Sequence, residues 1–195
     1  MLEDFRLDTI NQEAMCVPSE QAASFELLLV DQQAPMVAAW RTAFAPFPEV
    51  AILHADMLAV AENTVVSPAN SYGYMDGGID RAYIAYFGLQ LQATVSEAIA
   101  RYSEGALPVG ASLVVATGDV RIPYLIIAPT MTLPGAIGPE NCYYAMRATL
   151  QIAARHRGTI RQVFCPGFGT GVGQVRFLEA AREMARAYQH WRERK

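Results

Sequence analysis

Two glycine-rich stretches of the chain could hold an anionic ligand through backbone groups. The first spans residues 68–78 and ends in Gly77-Gly78, and the second spans residues 166–173, with glycine at every other position from 167 onwards. Glycine lets the backbone approach a ligand without a Cβ atom in the way, and it tolerates positive φ. A helix that begins near Ile79 would add free N–H groups and the positive end of its dipole. On glycine content alone, two tight strand-to-helix turns explain the sequence equally well.

Three polar residues accompany the first stretch. Asp56 follows a short apolar run, Asn70 stands inside the stretch, and Asp80 comes two residues after it. Taken singly, Asp56 could be an ordinary strand-end carboxylate, and Asp80 could be a helix N-terminal acid that favours the dipole. Taken together with Asn70 and the glycines, they favour a ligand site.

The elements that must position these residues alternate along the chain. Short apolar runs predict strands at residues 25–30, 50–53, 64–67, 112–117, 124–128 and 160–165. Helical spacing predicts helices at residues 35–44, 79–102 with a break near Gly88, 141–156 and 174–194. This alternation predicts a three-layer α/β/α domain with a mixed central sheet. Sites in such folds lie beyond the carboxyl ends of strands, where both glycine-rich stretches fall, and we expect each to open a helix.

The composition limits the class of protein. With 195 residues, 52% hydrophobic and 17% charged, we expect one globular domain over residues 1–195, with residues 1–24 as a possible N-terminal extension. No apolar run reaches the roughly 18–20 residues of a membrane span, and the acidic N-terminus does not resemble a signal peptide, so we expect a cytoplasmic protein without a membrane partner. The net charge of −4 argues weakly against nucleic acid as the main partner.

The cysteines, histidines and lysine of the sequence give little support to a metal site or to nucleophilic catalysis. The three cysteines, Cys16, Cys142 and Cys165, and the three histidines are not spaced as metal ligands, so neither a metal nor a cofactor is predicted. We expect reduced thiols, and a buried structural one at Cys165. The only lysine is Lys195, the last residue, which leaves no candidate for a buried catalytic lysine.

Residues 54–88 resemble the ADP-ribose site of the macrodomain family. The segments that carry the resemblance are Ala55-Asp56-Met57-Leu58, Ser67-Pro68-Ala69-Asn70, Gly77-Gly78-Ile79-Asp80 and the helix-closing Gly88. The spacings between Asp56, Asn70, Asp80 and Gly88 fit the family pattern without gaps, and a looser likeness extends over roughly residues 50–190. The resemblance implies a macrodomain-like fold whose partner is ADP-ribose or an ADP-ribosylated substrate.

The same resemblance implies roles for single residues. Asp56 would accept a hydrogen bond from the adenine amine, and Asn70 would contact the distal ribose hydroxyls. Asp80 would face the distal ribose or a water near its anomeric carbon, and Asn70 and Asp80 are the candidate catalytic residues. The full expected ligand-binding set is Asp56, Met57, Ala69, Asn70, Gly77, Gly78, Ile79, Asp80, Phe168, Gly169, Thr170, Gly171, Val172 and Gly173.

The chain also departs from the family pattern. Ser67 replaces an asparagine, and Met75 and Asp76 stand where family members often carry glycines. Ile84 stands where one hydrolase branch has histidine, and Gly173 stands where an aromatic residue often lies along the ligand. An aromatic wall could come instead from Phe168, Tyr72 or Tyr74. Three functions therefore stay open: a hydrolase of ADP-ribosyl bonds that uses activated water, a non-enzymatic reader of ADP-ribose, and a structural assembly protein with a degenerate site.

Overall fold

A computed structural model describes residues 25–194 of the protein. Residues 1–24, which include Cys16 and the expected extension, lie outside the described residues, as does Lys195. The six strands are β1 (Glu26–Asp31), β2 (Ala51–His54), β3 (Thr64–Ser67), β4 (Leu113–Ala116), β5 (Tyr124–Ile127) and β6 (Gln162–Cys165). The six α-helices are α1 (Ala34–Ala43), α2 (Met57–Val60), α3 (Gly78–Phe87), α4 (Gln90–Ala100), α5 (Glu140–Arg155) and α6 (Phe177–Arg192).

The strands form one mixed sheet in the order β2-β1-β6-β3-β5-β4. All neighbouring strands are parallel except the edge pair β4 and β5, which is antiparallel. Because five strands run in the same direction, their carboxyl ends meet along one edge of the sheet. The expected mixed sheet of an α/β/α sandwich is confirmed.

Two hydrophobic cores, one on each face of the sheet, hold the three layers together. In β1, Leu27 and Leu29 point into the core formed with α1, α5 and α6, whereas Val30 points into the core formed with α2, α3 and α4. This division follows from the two-residue period of a strand, which sends successive side chains to opposite faces. Both faces are covered, which explains why the strands are continuous apolar runs rather than alternating ones.

Two local predictions need correction. The four-residue helix α2 was not predicted, because one turn of helix is too short to display a helical period. The second glycine-rich stretch does not open a helix directly: α6 begins at Phe177, and Gln174 adopts a left-handed φ of 55° between them. The amides of this stretch are therefore loop amides and not the N-terminus of α6.

The described thiols are buried and unpaired. Cys142 and Cys165 form no disulfide, which confirms the expectation of a buried thiol at position 165. Burial raises the pKa of Cys142 to about 12 and that of Cys165 further still, so both remain protonated at neutral pH. Among residues 25–194, no helix is long and apolar enough to cross a membrane.

Candidate functional site

A crevice of about 510 Å³ lies beyond the carboxyl ends of the parallel strands. Loops that follow β1, β2, β3, β5 and β6 line it, as the general rule for open α/β sheets predicts. Its volume falls within the range of small-molecule sites, about 300–1,000 Å³. Of the fourteen expected ligand-binding residues, thirteen line this crevice.

Phe168 is the exception. Its side chain is completely buried in the core shared with α1, α5 and α6, and it does not line the crevice. Its carbonyl accepts a hydrogen bond from the buried Cys142 thiol. Phe168 is therefore not the aromatic wall among the three candidates, and its inclusion in the ligand-binding set is wrong, because the strand-to-loop turn directs its ring inward. Of the other two candidates for the wall, Tyr74 lines the crevice, and Tyr72 packs against its ring.

The first glycine-rich stretch presents the N-terminus of α3 to the crevice. Gly77 is the N-cap residue, and Arg81 donates the first N–H bond of the helix, to the Gly77 carbonyl. The N–H groups that precede Arg81 have no partner within the helix, as at any helix start. Gly78 adopts a φ of 53°, a left-handed conformation that glycine adopts without strain. Free donors and the positive end of the dipole therefore meet at this wall.

The second stretch presents a row of loop amides on the opposite wall. The carbonyls of Gly169, Gly171 and Gly173 accept backbone hydrogen bonds, and these bonds hold the loop in shape. The N–H groups of residues 170–173 donate no hydrogen bond to any part of the described chain. Glycine is required at position 173, because a Cβ atom there would lie 2.6 Å from the Gly169 carbonyl oxygen.

The two walls approach each other closely. A Cβ atom placed on Gly77 would lie 3.9 Å from Cγ2 of Val172, so the helix start and the loop face each other across a narrow gap. Two rows of unpaired N–H groups on facing walls suit an extended anion with two charged groups.

Asp56 lines the crevice at the start of α2. It is the N-cap of α2, where Oδ1 accepts a hydrogen bond from the Leu58 N–H at 2.8 Å. Oδ2 accepts from Nε2 of Gln32 at 2.9 Å, and the Gln32 carbonyl lies 3.0 Å from Nε2 of His54. Each carboxylate oxygen has a second lone pair left for a ligand.

The turn after β1 also belongs to the site, which the sequence did not predict. Asp31, Gln32 and Gln33 line the crevice, and Asp31 Oδ1 accepts from the Gln33 N–H at 2.8 Å. These three polar residues follow a predicted strand, and the carboxyl ends of parallel strands are where such folds form their sites. That pattern could have identified them.

Arg121 supports α2 from outside the crevice. Its guanidinium donates to the carbonyls of Leu58 and Ala61, at the C-terminal end of α2, and to the Tyr86 hydroxyl. These bonds satisfy helix-terminal carbonyls that have no partner within the helix. Arg121 thus fixes the short helix that carries Asp56 and Met57.

Asn70 organises the loop that follows β3. Its Oδ1 accepts from the N–H groups of Tyr72 and Tyr74, and its Nδ2 donates to the Tyr74 carbonyl at 2.9 Å. These contacts leave one side-chain N–H for a ligand. The structure therefore gives Asn70 a loop-shaping role that the sequence did not suggest.

Asp80 lies in the first turn of α3 and lines the crevice. Its side chain is only 7% exposed, and Oδ1 finds no hydrogen-bond partner among the described residues; the same holds for the buried Oγ of Ser67. Burial raises the pKa of Asp80 to about 7, the neighbouring Ser67 hydroxyl opposes the rise, and the charge of Asp76 adds to it. A carboxyl group that ionises near neutral pH is suited to act as a general base.

The charges around the crevice are all of one sign. Among residues 25–194, the lining contains no arginine, lysine or histidine, whereas four carboxyl groups line it: Asp31, Asp56, Asp76 and Asp80. The described residues contain no group of three or more His, Cys, Asp or Glu side chains that could hold a metal ion. An anionic ligand would therefore be held by backbone N–H groups.

Comparisons with known sequences match a region that contains most of the crevice-lining residues. The Macro domain family model matches residues 66–184. A protein of Aeropyrum pernix is 33% identical over 139 residues, which cover 71% of this chain and 69% of the relative. A protein of Aquifex aeolicus is 30% identical over 137 residues, which cover 70% of this chain and 78% of the relative.

Solved structures share the architecture at lower sequence identity. The macrodomain of Mycobacterium tuberculosis DarG is similar with a TM-score of 0.60 and 20% identity, over 70% of this chain and 87% of that one. The Oceanobacillus iheyensis macrodomain with ADP has a TM-score of 0.58 and 21% identity, over 68% and 70%. Thermosipho africanus DarTG in complex with ADP-ribose has a TM-score of 0.55 and 16% identity, over 70% and 37%.

Proposed function

Because the chain belongs to the Macro domain family, we propose that its crevice binds ADP-ribose and hydrolyses the bond between ADP-ribose and an acceptor group. ADP is bound by the macrodomain of Oceanobacillus iheyensis, and ADP-ribose by Thermosipho africanus DarTG, both of which share this architecture. The observation that carries the proposal is the pair of facing walls with unpaired N–H groups.

The diphosphate lies between these two walls. The N-terminus of α3, at residues 77–80, contacts one phosphate, and the loop amides of residues 170–173 contact the other. No basic side chain lines the described crevice, so the backbone supplies all the positive potential. This is how a glycine-rich loop beside a helix start binds phosphates in general.

We assign the two ends of the ligand to Asp56, at the start of α2, and to Asp80, in the first turn of α3. Asp56 offers spare lone pairs to the adenine amine, because each of its oxygens accepts only one bond from the protein. The distal ribose then lies against Asn70, whose remaining N–H is available, and Asp80. The sequence resemblance implied this same orientation.

Asp80 supplies the base for hydrolysis. Its ionised carboxylate takes a proton from a water molecule at the anomeric carbon, and the water oxygen bonds to that carbon. The bond from the carbon to the acceptor atom breaks, and its electron pair stays on the acceptor. The acceptor takes up a proton from solvent, and Asp80 returns its proton to solvent. A pKa of about 7 gives a base that is half ionised at neutral pH and still basic enough to accept the proton.

Calorimetric titration with ADP-ribose tests the binding step. We expect saturable binding, with a Kd in the micromolar range, which corresponds to about −8 kcal/mol. Absence of heat at millimolar ADP-ribose would contradict both binding and hydrolysis and would favour a structural role. If binding is observed, incubation with an ADP-ribosylated peptide separates a hydrolase, which releases free ADP-ribose, from a reader, which releases none.

Two substitutions at position 56 separate its cap role from its ligand role. Asp56→Ala removes the N-cap of α2, and we expect it to lower stability by about 1 kcal/mol. Asp56→Asn keeps an oxygen for the Leu58 N–H and so keeps most of that stability. Both should weaken ADP-ribose binding by about 1–3 kcal/mol, since the adenine amine loses its charged acceptor. Thermal unfolding and calorimetry measure the two effects, and unchanged affinity in both variants would refute the contact with adenine.

A further inference from the structure

The proposed binding of ADP-ribose assigns no contact to Asp76. Its side chain is exposed and lines the crevice near Asp80, whose pKa it raises. No hydrogen bond or ion pair to its carboxylate occurs within residues 25–194. Beside a diphosphate, an unpaired carboxylate repels the ligand unless the ligand itself brings a cation to this end.

Two exposed tyrosines stand on the same loop. The rings of Tyr72 and Tyr74 stack with their centroids 6.1 Å apart and their planes 26° apart, and they are 40% and 55% exposed. The Asn70 side chain holds the backbone of both tyrosines through three hydrogen bonds. Tyr74 lines the crevice together with Asp76 and Asp80, and Tyr72 stacks behind its ring.

Tyr74 and Asp76 thus offer an aromatic face and a carboxylate to the same crevice, which suits a flat cation. A guanidinium group stacks on an aromatic face and pairs with a carboxylate at the same time, because its charge is spread over a planar fork. Elsewhere in this chain, the guanidinium carbon of Arg186 lies 4.4 Å from the centroid of the Tyr143 ring. Asp80, whose buried Oδ1 has no partner among the described residues, lines the same crevice as Tyr74 and Asp76.

We propose that the acceptor group of the natural ligand is an arginine side chain, so that the site recognises ADP-ribose linked to a guanidinium. The proposal rests on the proposed binding of ADP-ribose, with the distal ribose at Asp80. The guanidinium then lies over Tyr74, backed by Tyr72, and pairs with Asp76. Serine and glutamate acceptors are both neutral once they carry ADP-ribose, as an O-glycoside and an ester, so they leave the Asp76 charge unmatched.

The test compares three ligands by calorimetry in the Asp80→Asn background, where the ligand is not consumed. They are a peptide ADP-ribosylated on arginine, the same peptide with ADP-ribosylserine at that position, and free ADP-ribose, all in EDTA so that no metal ion neutralises Asp76. We expect the arginine-linked peptide to bind about tenfold more tightly than the other two.

Matched variants assign the preference to named residues. Asp76→Asn should remove the tenfold preference while leaving the affinity for free ADP-ribose unchanged or higher. Tyr74→Leu should also reduce the preference, whereas Tyr74→Phe, which keeps the aromatic face, should retain it.

The outcomes separate this inference from the proposed function. If free ADP-ribose does not bind at all, the proposed function fails. If free ADP-ribose binds but the arginine- and serine-linked peptides have equal affinity, only the arginine proposal fails. Tighter binding of an ADP-ribosylated oligonucleotide than of the arginine-linked peptide would also overturn it, since stacked tyrosines can bind a nucleobase.

Discussion

Replacing Asp80 by asparagine should lower the rate of ADP-ribosyl hydrolysis by about 10²–10⁴-fold, the range expected for loss of a general base. The asparagine side chain has nearly the same shape but cannot take a proton from water. ADP-ribose binding should persist, because the backbone N–H groups that hold the diphosphate do not depend on this side chain. Release of ADP-ribose from a modified peptide under single-turnover conditions measures the rate, and calorimetry measures the binding.

The pH dependence of the wild-type rate tests whether the Asp80 carboxylate acts as a base. Since the ionised form is the active one, the rate should rise with pH and level off above about pH 7. Asp76→Asn should move this rise to lower pH, because the Asp76 charge contributes to the raised pKa of Asp80. A rate in Asp80→Asn within a few-fold of wild type, or a flat pH profile, would rule out Asp80 as the base.

The fold was predictable from the sequence because its signals are local and repeated. Six apolar runs corresponded to the six strands, and β3 was predicted with its observed bounds, Thr64–Ser67. Gly88 was correctly recognised as the break between α3 and α4, where it adopts a φ of 94°. Strand order was not predictable, because β6 enters the sheet between β1 and β3 through contacts that are distant in sequence.

The crevice was predictable where glycine and strand ends mark it, but side-chain direction was not. Phe168 stands between two glycines in the sequence, yet its ring enters the core. The carboxamide of Asn70 forms three hydrogen bonds with the backbone of Tyr72 and Tyr74. Asparagine often forms such local bonds, but the residue type alone does not predict them at a given position. Asp31 lines the crevice because β1 lies between β2 and β6 in the sheet, and this strand order could not be read from the sequence.

The burial of Asp80 places function and stability in opposition. A carboxyl group in this position is costly when ionised, because Oδ1 has no partner among the described residues to replace the lost water. The same burial brings the pKa to the range that a base needs at neutral pH. Buried active-site groups commonly reduce stability in exchange for activity.

We therefore expect Asp80→Asn to stabilise the protein at alkaline pH. The folded-state pKa of Asp80 is raised from 3.8 to about 7, so the folded state binds the proton more tightly than the unfolded state does. Its contribution to stability is fully present below pH 3.8, falls as the pH rises, and is lost above about pH 7. The asparagine variant has no such loss, and its amide can donate to the unpartnered Ser67 hydroxyl. At pH 8 it should be more stable than wild type, by at most about 4 kcal/mol.

Denaturant unfolding of both proteins between pH 5 and pH 9 measures this difference. The stability gap should widen from pH 5 to about pH 7 and then stay constant, because beyond the folded-state pKa both states carry the same charge at position 80. Glu97→Gln, which removes an equal charge from the exposed surface of α4, serves as the control and should show no such widening. The difference in stability between Asp76→Asn and wild type should also widen over this pH range, but by less. This substitution removes only the contribution of the Asp76 charge to the pKa of Asp80. A gap that is constant from pH 5 to pH 9 would mean that Asp80 titrates alike in the folded and unfolded chains, and the case for a neutral-pH base would fail with it.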